Sequence, residues 1–448
     1  MHEEPSNHER LNDGTSAARS PAAGGQSLRD AASRSRGASR WVPSVIGIVL
    51  GVAVALAILV LRPREKLPAT SKEPEALAGA VLVEDEGALE EVLFQYVPKL
   101  EFVVADAYRD FLGTLDPTTK LVAVVPAHGD LRDSGLDVDA SAALRKFLAK
   151  IDPSGALEHR TRIVETGGPI SVWSKDRALV MGPFAGSPRT GLLIPMPPDP
   201  KWIERSNDWR TLASVAEAMP DLYYVHELPL MFDAGDFAVT GKRVLVDVNL
   251  FTKNRSRGVT STDSLKELLG KLLNREIILL GKDDGDVPRH HMSMYMAPLG
   301  DTVLVGDPRA AVSIVGAEYA PGELSIETGD ALKADFTDVE VQRYELAARE
   351  LGAAGFRVVR IPTVPFDDKT YFAYTNGVYE TRGGKKIAWV PQYAKDASDV
   401  KVARLDAIAR ETYADLGWEV RPVAVRAAYA YHGTIGCLAN VLARRHSG

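Results

Sequence analysis

At 448 residues the chain has the length of about three average domains or of one large one. With 45% hydrophobic and 25% charged residues it can bury a sizeable core, which excludes a protein disordered throughout. The 53 basic and 60 acidic residues leave a net charge of -7, so bulk charge gives no case for a nucleic-acid partner. Cys437 is the single cysteine, which excludes an intrachain disulfide and a zinc site built on several thiolates.

Residues 1–40 are rich in Ser, Ala, Gly, Asn and charge and carry hardly any large apolar side chain, so a disordered tail is expected. From Trp41 to Leu61 follows an uncharged apolar run, WVPSVIGIVLGVAVALAILVL, matching the roughly 20 residues a helix needs to cross a bilayer. It predicts one transmembrane helix over 41–62, a linker over 63–78 and a folded domain over 79–448. Arginines and lysines flank both sides of the run, so the charge rule gives no orientation. A short tail before the span and a large domain after it favour a single-pass anchor with the domain extracytoplasmic.

Beyond residue 75, apolar residues at spacings of three and four predict helices over 140–151, 208–219, 263–273, 341–352 and 403–417. Each is followed by a β-type run: HRTRIVET, LYYVHELP, REIILLG, GFRVVRIP and GWEVRPVA. Units of roughly 55 to 75 residues recurring in this way predict a closed pseudo-symmetric array, with an ordinary α/β sheet as the alternative. One polar motif falls in each unit: VWSKD (172–176), FDAGDF (232–237), RHHMS (289–293), YTNG (374–377) and YHGTIGC (431–437). In a closed array such equivalent positions point at one axis, so residues remote in sequence meet in one pocket.

The set VWSKD, FDAGDF, HHMSMYMAPLGDTVLVGDP and GTIGC, in this order, resembles the pentein superfamily of guanidino-group-modifying enzymes. Its members include arginine, agmatine and peptidylarginine deiminases, dimethylarginine hydrolases and glycine amidinotransferases. The resemblance covers roughly residues 80–445 and implies an α/β propeller of five ββαβ units. It implies Cys437 as nucleophile, His291 as general acid/base, Asp233 as the carboxylate paired with that histidine, and Asp176 as a carboxylate gripping the guanidinium, with Trp173 beside it. A guanidinium is a resonance-stabilised cation with a poor leaving group, which is why a thiolate in place of water suits the first step.

One position departs from the pattern: most members have His-x-Asp, whereas here Ser293 follows His291 and Met292. A hydroxyl compensates a cation less well than a carboxylate, and Asp236 is the expected substitute. The implied activity is a membrane-anchored hydrolase acting on arginine, an arginine-like compound or peptidyl-arginine. An amidinotransferase, or a domain that has lost catalysis and serves as a binding module, are the alternatives. His290 and His291 are adjacent, so in a regular strand at most one points inward. Asn376-Gly377 reads as a hairpin turn. No metal and no organic cofactor are expected, because no cluster shows ligand spacing beyond the adjacent histidines.

Overall fold

Five times along the chain an antiparallel strand pair is joined, through a helix, to a third strand lying parallel to the second. The computed structural model describes residue 77 and residues 79–127, 138–184, 187–196, 207–326, 328–366, 369–396 and 398–446. Residues 1–72 and 73–448 form separate units, and the first lies outside the described residues.

The chain enters through β1 (Ala88–Gln95), the helix Glu101–Leu112, β2 (Lys120–Pro126), the helix Ala140–Ile151 and β3 (Thr161–Thr166). The second unit is β4 (Leu179–Met181), β5 (Thr190–Ile194), the helix Thr211–Ala218 and β6 (Tyr223–Glu227). The third is β7 (Ala238–Thr240), β8 (Arg243–Asp247), the helix Thr262–Leu273 and β9 (Glu276–Leu280). The fourth is β10 (Met296–Leu299), β11 (Thr302–Asp307), the helix Asp338–Ala353 and β12 (Arg357–Pro365), with β13 (Tyr371–Ala373) added at its edge. The fifth is β14 (Val378–Arg382), β15 (Lys385–Gln392), the helix Val400–Asp415 and β16 (Trp418–Ala424), after which β17 (Ala439–Arg445) completes the chain's strands.

β17 runs antiparallel to β1, and β1 runs parallel to β2, so the first module takes its outer strand from the far end of the domain. A parallel pair needs a crossover, which the helices supply. The middle strands are nearly wholly buried, as expected where a sheet is covered on both faces: Val244–Asp247 of β8 and Val303–Gly306 of β11 are buried without interruption.

The five-unit α/β array is therefore found, as five separate sheets rather than one. The first unit departs from the expectation. Its module helix is Glu101–Leu112, not 140–151, which instead leads from β2 to the extra strand β3. EFVVADAYRDFL carries Val-Val and aromatics and has no side-chain N-cap, so its helical signal is weak, although Val104, Ala107, Tyr108 and Phe111 are spaced to bury one face.

The expected transmembrane helix is corrected. No helix among the described residues is long and apolar enough to cross a membrane, and the 41–62 run lies outside those residues. A run of suitable length and hydropathy meets the bilayer's thickness requirement without establishing a span. The single-pass, extracytoplasmic localisation built on it falls with it.

Candidate active site

The polar motifs lie in the short turns leading into β4, β7, β10, β14 and β17. Three are 3-10 turns: Lys175–Arg177, Ala234–Asp236 and Met292–Met294; a fourth is the helical turn Ile435–Leu438. These turns pack on one another, Lys175–Arg177 against both Ala234–Asp236 and Ile435–Leu438, and Ala234–Asp236 against Met292–Met294. Four units thereby deliver side chains to one place.

His291 stands at the centre of the acids. Its Nδ1 is 3.6 Å from Asp176 Oδ1 and its Nε2 is 3.5 Å from Asp233 Oδ2. Burial opposes a charged ring, but Asp176, then Asp233 and a hydrogen bond with Cys437, outweigh it and hold the imidazole well above its ordinary value. The Ala234–Asp236 turn approaches so closely that a Cβ on Gly235 would lie 2.6 Å from His291 Cγ and Nδ1. Only glycine leaves the ring in place there.

The carboxylates are themselves compensated. Lys253 Nζ contacts Asp233 Oδ2 at 3.0 Å and Asp236 at 2.6 and 2.7 Å. The backbone N–H of Asp233 also donates to Asp236 Oδ2 at 2.9 Å, closing a capping box. Arg177, buried, places Nη2 3.4 Å from Asp176 Oδ2, 3.5 Å from Asp208 Oδ2 and 4.0 Å from Asp233 Oδ1. Leaving such acids buried without partners costs several kcal/mol each, on the order of 3–5 for a broken pair, so these cations hold the turns together.

Cys437 is 3% exposed, and its sulfur accepts the side-chain amide of Asn376 at 3.1 Å. The same amide nitrogen lies 3.1 Å from Ser293 Oγ and 2.8 Å from Met294 Sδ. Asn376 also approaches Gly436, where a Cβ would fall 2.0 Å from its Oδ1. The glycine before the cysteine thus gives this asparagine its room.

A cavity of 610 Å³ opens beside these groups, within the range of small-molecule sites. Of the residues singled out from sequence, Cys437, His291, Asp176 and Trp173 line it. Asp233, Asp236 and Ser293 do not: Asp233 stands behind His291, Asp236 is engaged by Lys253, and the Ser293 hydroxyl is held by Asn376. His290 and His432 are also on the wall. Both histidines before Met292 reach the same cavity because His290 has φ 76°, which breaks strand alternation and stacks the two rings at 4.2 Å between centroids.

Sequence reasoning missed four groups. Asn376, read as a hairpin residue, is fully buried, and β13 and β14 on either side of it belong to different sheets. Arg177 adjoins a quoted motif and Lys253 lies in a short helix, and neither position announces a site. His290 had been set against His291 as an either-or. Asp176, Asp233 and His291 also bring ligand atoms within 4.8 Å of one another, a spacing usable by a metal ion and invisible in the sequence because three units contribute. Arg177 and Lys253 already place positive charge on those carboxylates.

No protein-family model matches the chain, and no curated protein matches it in sequence. Solved structures do. The agmatine deiminase of Enterococcus faecalis superposes with a TM-score of 0.52 at 13% identity, over 83% of this chain and 100% of that one. The C. jejuni agmatine deiminase superposes with a TM-score of 0.51 at 14% identity, over 82% of this chain and 96% of that one. The chain has the pentein fold that these deiminases share.

Proposed function

We propose that this protein hydrolyses a C–N bond of a small guanidino compound through a covalent amidino-thioether on Cys437. The observation that carries the reading is that the Cys437 thiol, the His291 imidazole and the Asp176 carboxylate line one cavity. The agmatine deiminases of the same fold support the substrate type.

Asp176 receives the guanidinium, whose planar N–H fork matches a carboxylate. Cys437, as thiolate, forms a C–S bond to the central carbon, and the resulting tetrahedral adduct breaks a C–N bond. His291, held charged between Asp176 and Asp233, donates the proton that lets the nitrogen leave as ammonia or amine. The imidazole, now neutral, takes a proton from water as its oxygen bonds to the same carbon. The C–S bond then breaks, returning the thiolate and releasing a ureido product. Asn376, donating to the sulfur, steadies it in its anionic form.

The test is ureido formation from arginine, agmatine and 4-guanidinobutyrate, with Cys437→Ala as blank, together with mass spectrometry after exposure to chloroacetamidine. Cys437-dependent product and a single adduct on Cys437 are expected. A folded wild-type protein giving neither sinks the proposal, and product formed only when an acceptor amine is supplied replaces hydrolysis by transfer.

A further inference from the structure

His290 occupies its place at two costs. Its backbone is left-handed, with φ 76°, although it neither ends a helix nor turns a hairpin: it lies between β9 and β10, which belong to different sheets. A residue with a Cβ is strained in that conformation and keeps it only where the surroundings enforce it, typically at sites that bind or react. Its Nδ1 is buried and makes no hydrogen bond among the described residues, so that atom has given up its hydration without a replacement. A glycine at 290 would carry neither cost.

What the conformation yields is a stack. Adjacent side chains on extended backbone point to opposite sides, whereas the His290 and His291 rings lie 4.2 Å apart between centroids with 21° between their planes. A third ring, His432, stands 6.3 Å from His290, and its Nδ1 lies 3.3 Å from Thr370 Oγ1. All three histidines line the cavity.

The His291 ring needs such a contact. Its nitrogens are 3.6 Å from Asp176 and 3.5 Å from Asp233, beyond the about 2.7–3.2 Å of a directed N–H···O bond. At those distances the carboxylates attract the ring without fixing its plane. His290 covers a face of it instead. Burial, then the charged His291, keeps the His290 ring well below its ordinary value, so the ring lying on the imidazolium is itself neutral and adds no repulsion.

From this geometry, and resting on the hydrolase reading above only for the proton that His291 delivers, we infer that His290 is a positioning residue. Its ring, turned inward by left-handed backbone, holds the His291 imidazole in the plane that sets one nitrogen toward Asp176 and the other toward Asp233. The proton given to the departing nitrogen is thereby aimed. Without the stack the ring can rotate about its Cβ–Cγ bond, and both carboxylate contacts lengthen together.

The experiment replaces His290 by glycine, which removes the ring and suits the backbone, and by phenylalanine, which keeps an aromatic plane. In His290→Gly the NMR titration midpoint of His291 is expected to fall towards about 6.5 as the carboxylates lose their hold. On whichever of arginine, agmatine and 4-guanidinobutyrate is turned over fastest, kcat should drop by about tenfold with KM within about twofold. The urea midpoint should be no lower than in wild type. His290→Phe is expected to restore the His291 midpoint and most of the turnover. A His291 midpoint that stays or rises in the glycine variant overturns the inference, because a wall that merely excluded water would release the ring to solvent and raise it. A glycine variant that loses stability along with turnover marks a packing role and overturns it too, as does a folded phenylalanine variant that behaves like the glycine one. If wild type gives neither ureido product nor Cys437 adduct, the hydrolase reading falls, while the His291 titration still decides whether His290 holds the ring.

Discussion

Asn376 donates its side-chain amide to the Cys437 sulfur across 3.1 Å, although 61 residues of chain separate them. The bond ties the turn before β14 to the turn before β17. Asn376→Leu keeps the bulk and removes the donor. Hydrogen bonds to charged partners are worth about 1.5–3 kcal/mol, so alkylation of Cys437 by iodoacetamide at fixed pH should slow by about tenfold or more, and turnover with it. An unchanged alkylation rate in the folded variant means that the sulfur does not depend on this amide.

The His291 ring gives a pH signature of known sign. Its folded value is raised well above the unfolded imidazole value of about 6.5, so the folded state binds the extra proton. The stabilisation is fully present below pH about 6.5 and is lost as pH rises through the folded value. The stability difference between wild type and His291→Gln, measured by urea denaturation across pH, should therefore shrink on the alkaline side. Asp176→Asn removes the largest of the raising influences and should lower the ring's NMR titration midpoint. A wild-type ring titrating at or below 6.5 contradicts the assignment.

Lys253 is the cation for Asp233 and Asp236, which raise its own value despite the opposing effect of burial. Lys253→Met leaves the buried Asp236 beside Asp233 with no ammonium between them. The cost expected in denaturation is about 2 kcal/mol, below the range for fully buried pairs because the Lys253 side chain is 34% exposed. Lys253→Arg should restore part of it. A variant as stable as wild type shows that the acids find compensation elsewhere.

Gly235→Ala tests the packing behind the imidazole. The new methyl would sit 2.6 Å from His291 Cγ, closer than nonbonded carbons approach, so the ring must move. A shift of about 1 Å at a reacting group can lower turnover on the order of a hundredfold. The expected result is a folded protein with kcat/KM reduced by about that factor and a displaced ring in its crystal structure. Full activity means that the turn yields instead.

The repeat was legible because its helices and parallel strands write their periodicities openly: 263–273 and 341–352 lie within Thr262–Leu273 and Asp338–Ala353, and REIILLG and GWEVRPVA contain β9 and β16. Glu101–Leu112 escaped because it lacks a side-chain cap and carries strand-like residues, its burial being decided by the packing of the closing module. Cys437, His291, Asp176 and Trp173, singled out through motif order, line one cavity. Lys253, Arg177 and Asn376 have contacts that depend on which turns meet, and no local pattern encodes that. Asp236, expected to stand in for the missing acid of His-x-Asp, is not on the cavity lining but is engaged by Lys253, which comes from a different stretch of chain.

The pairing of β17 with β1 has a consequence for the order of assembly. Cys437 lies two positions before β17, so its carrier turn is fixed only when that late-synthesised strand zips onto the domain's earliest one. A nascent or truncated chain lacking 439–445 could gather the imidazole and acids while its thiol still hung loose. The wall that carries the sulfur would then be completed last, after the rest of the domain had taken shape.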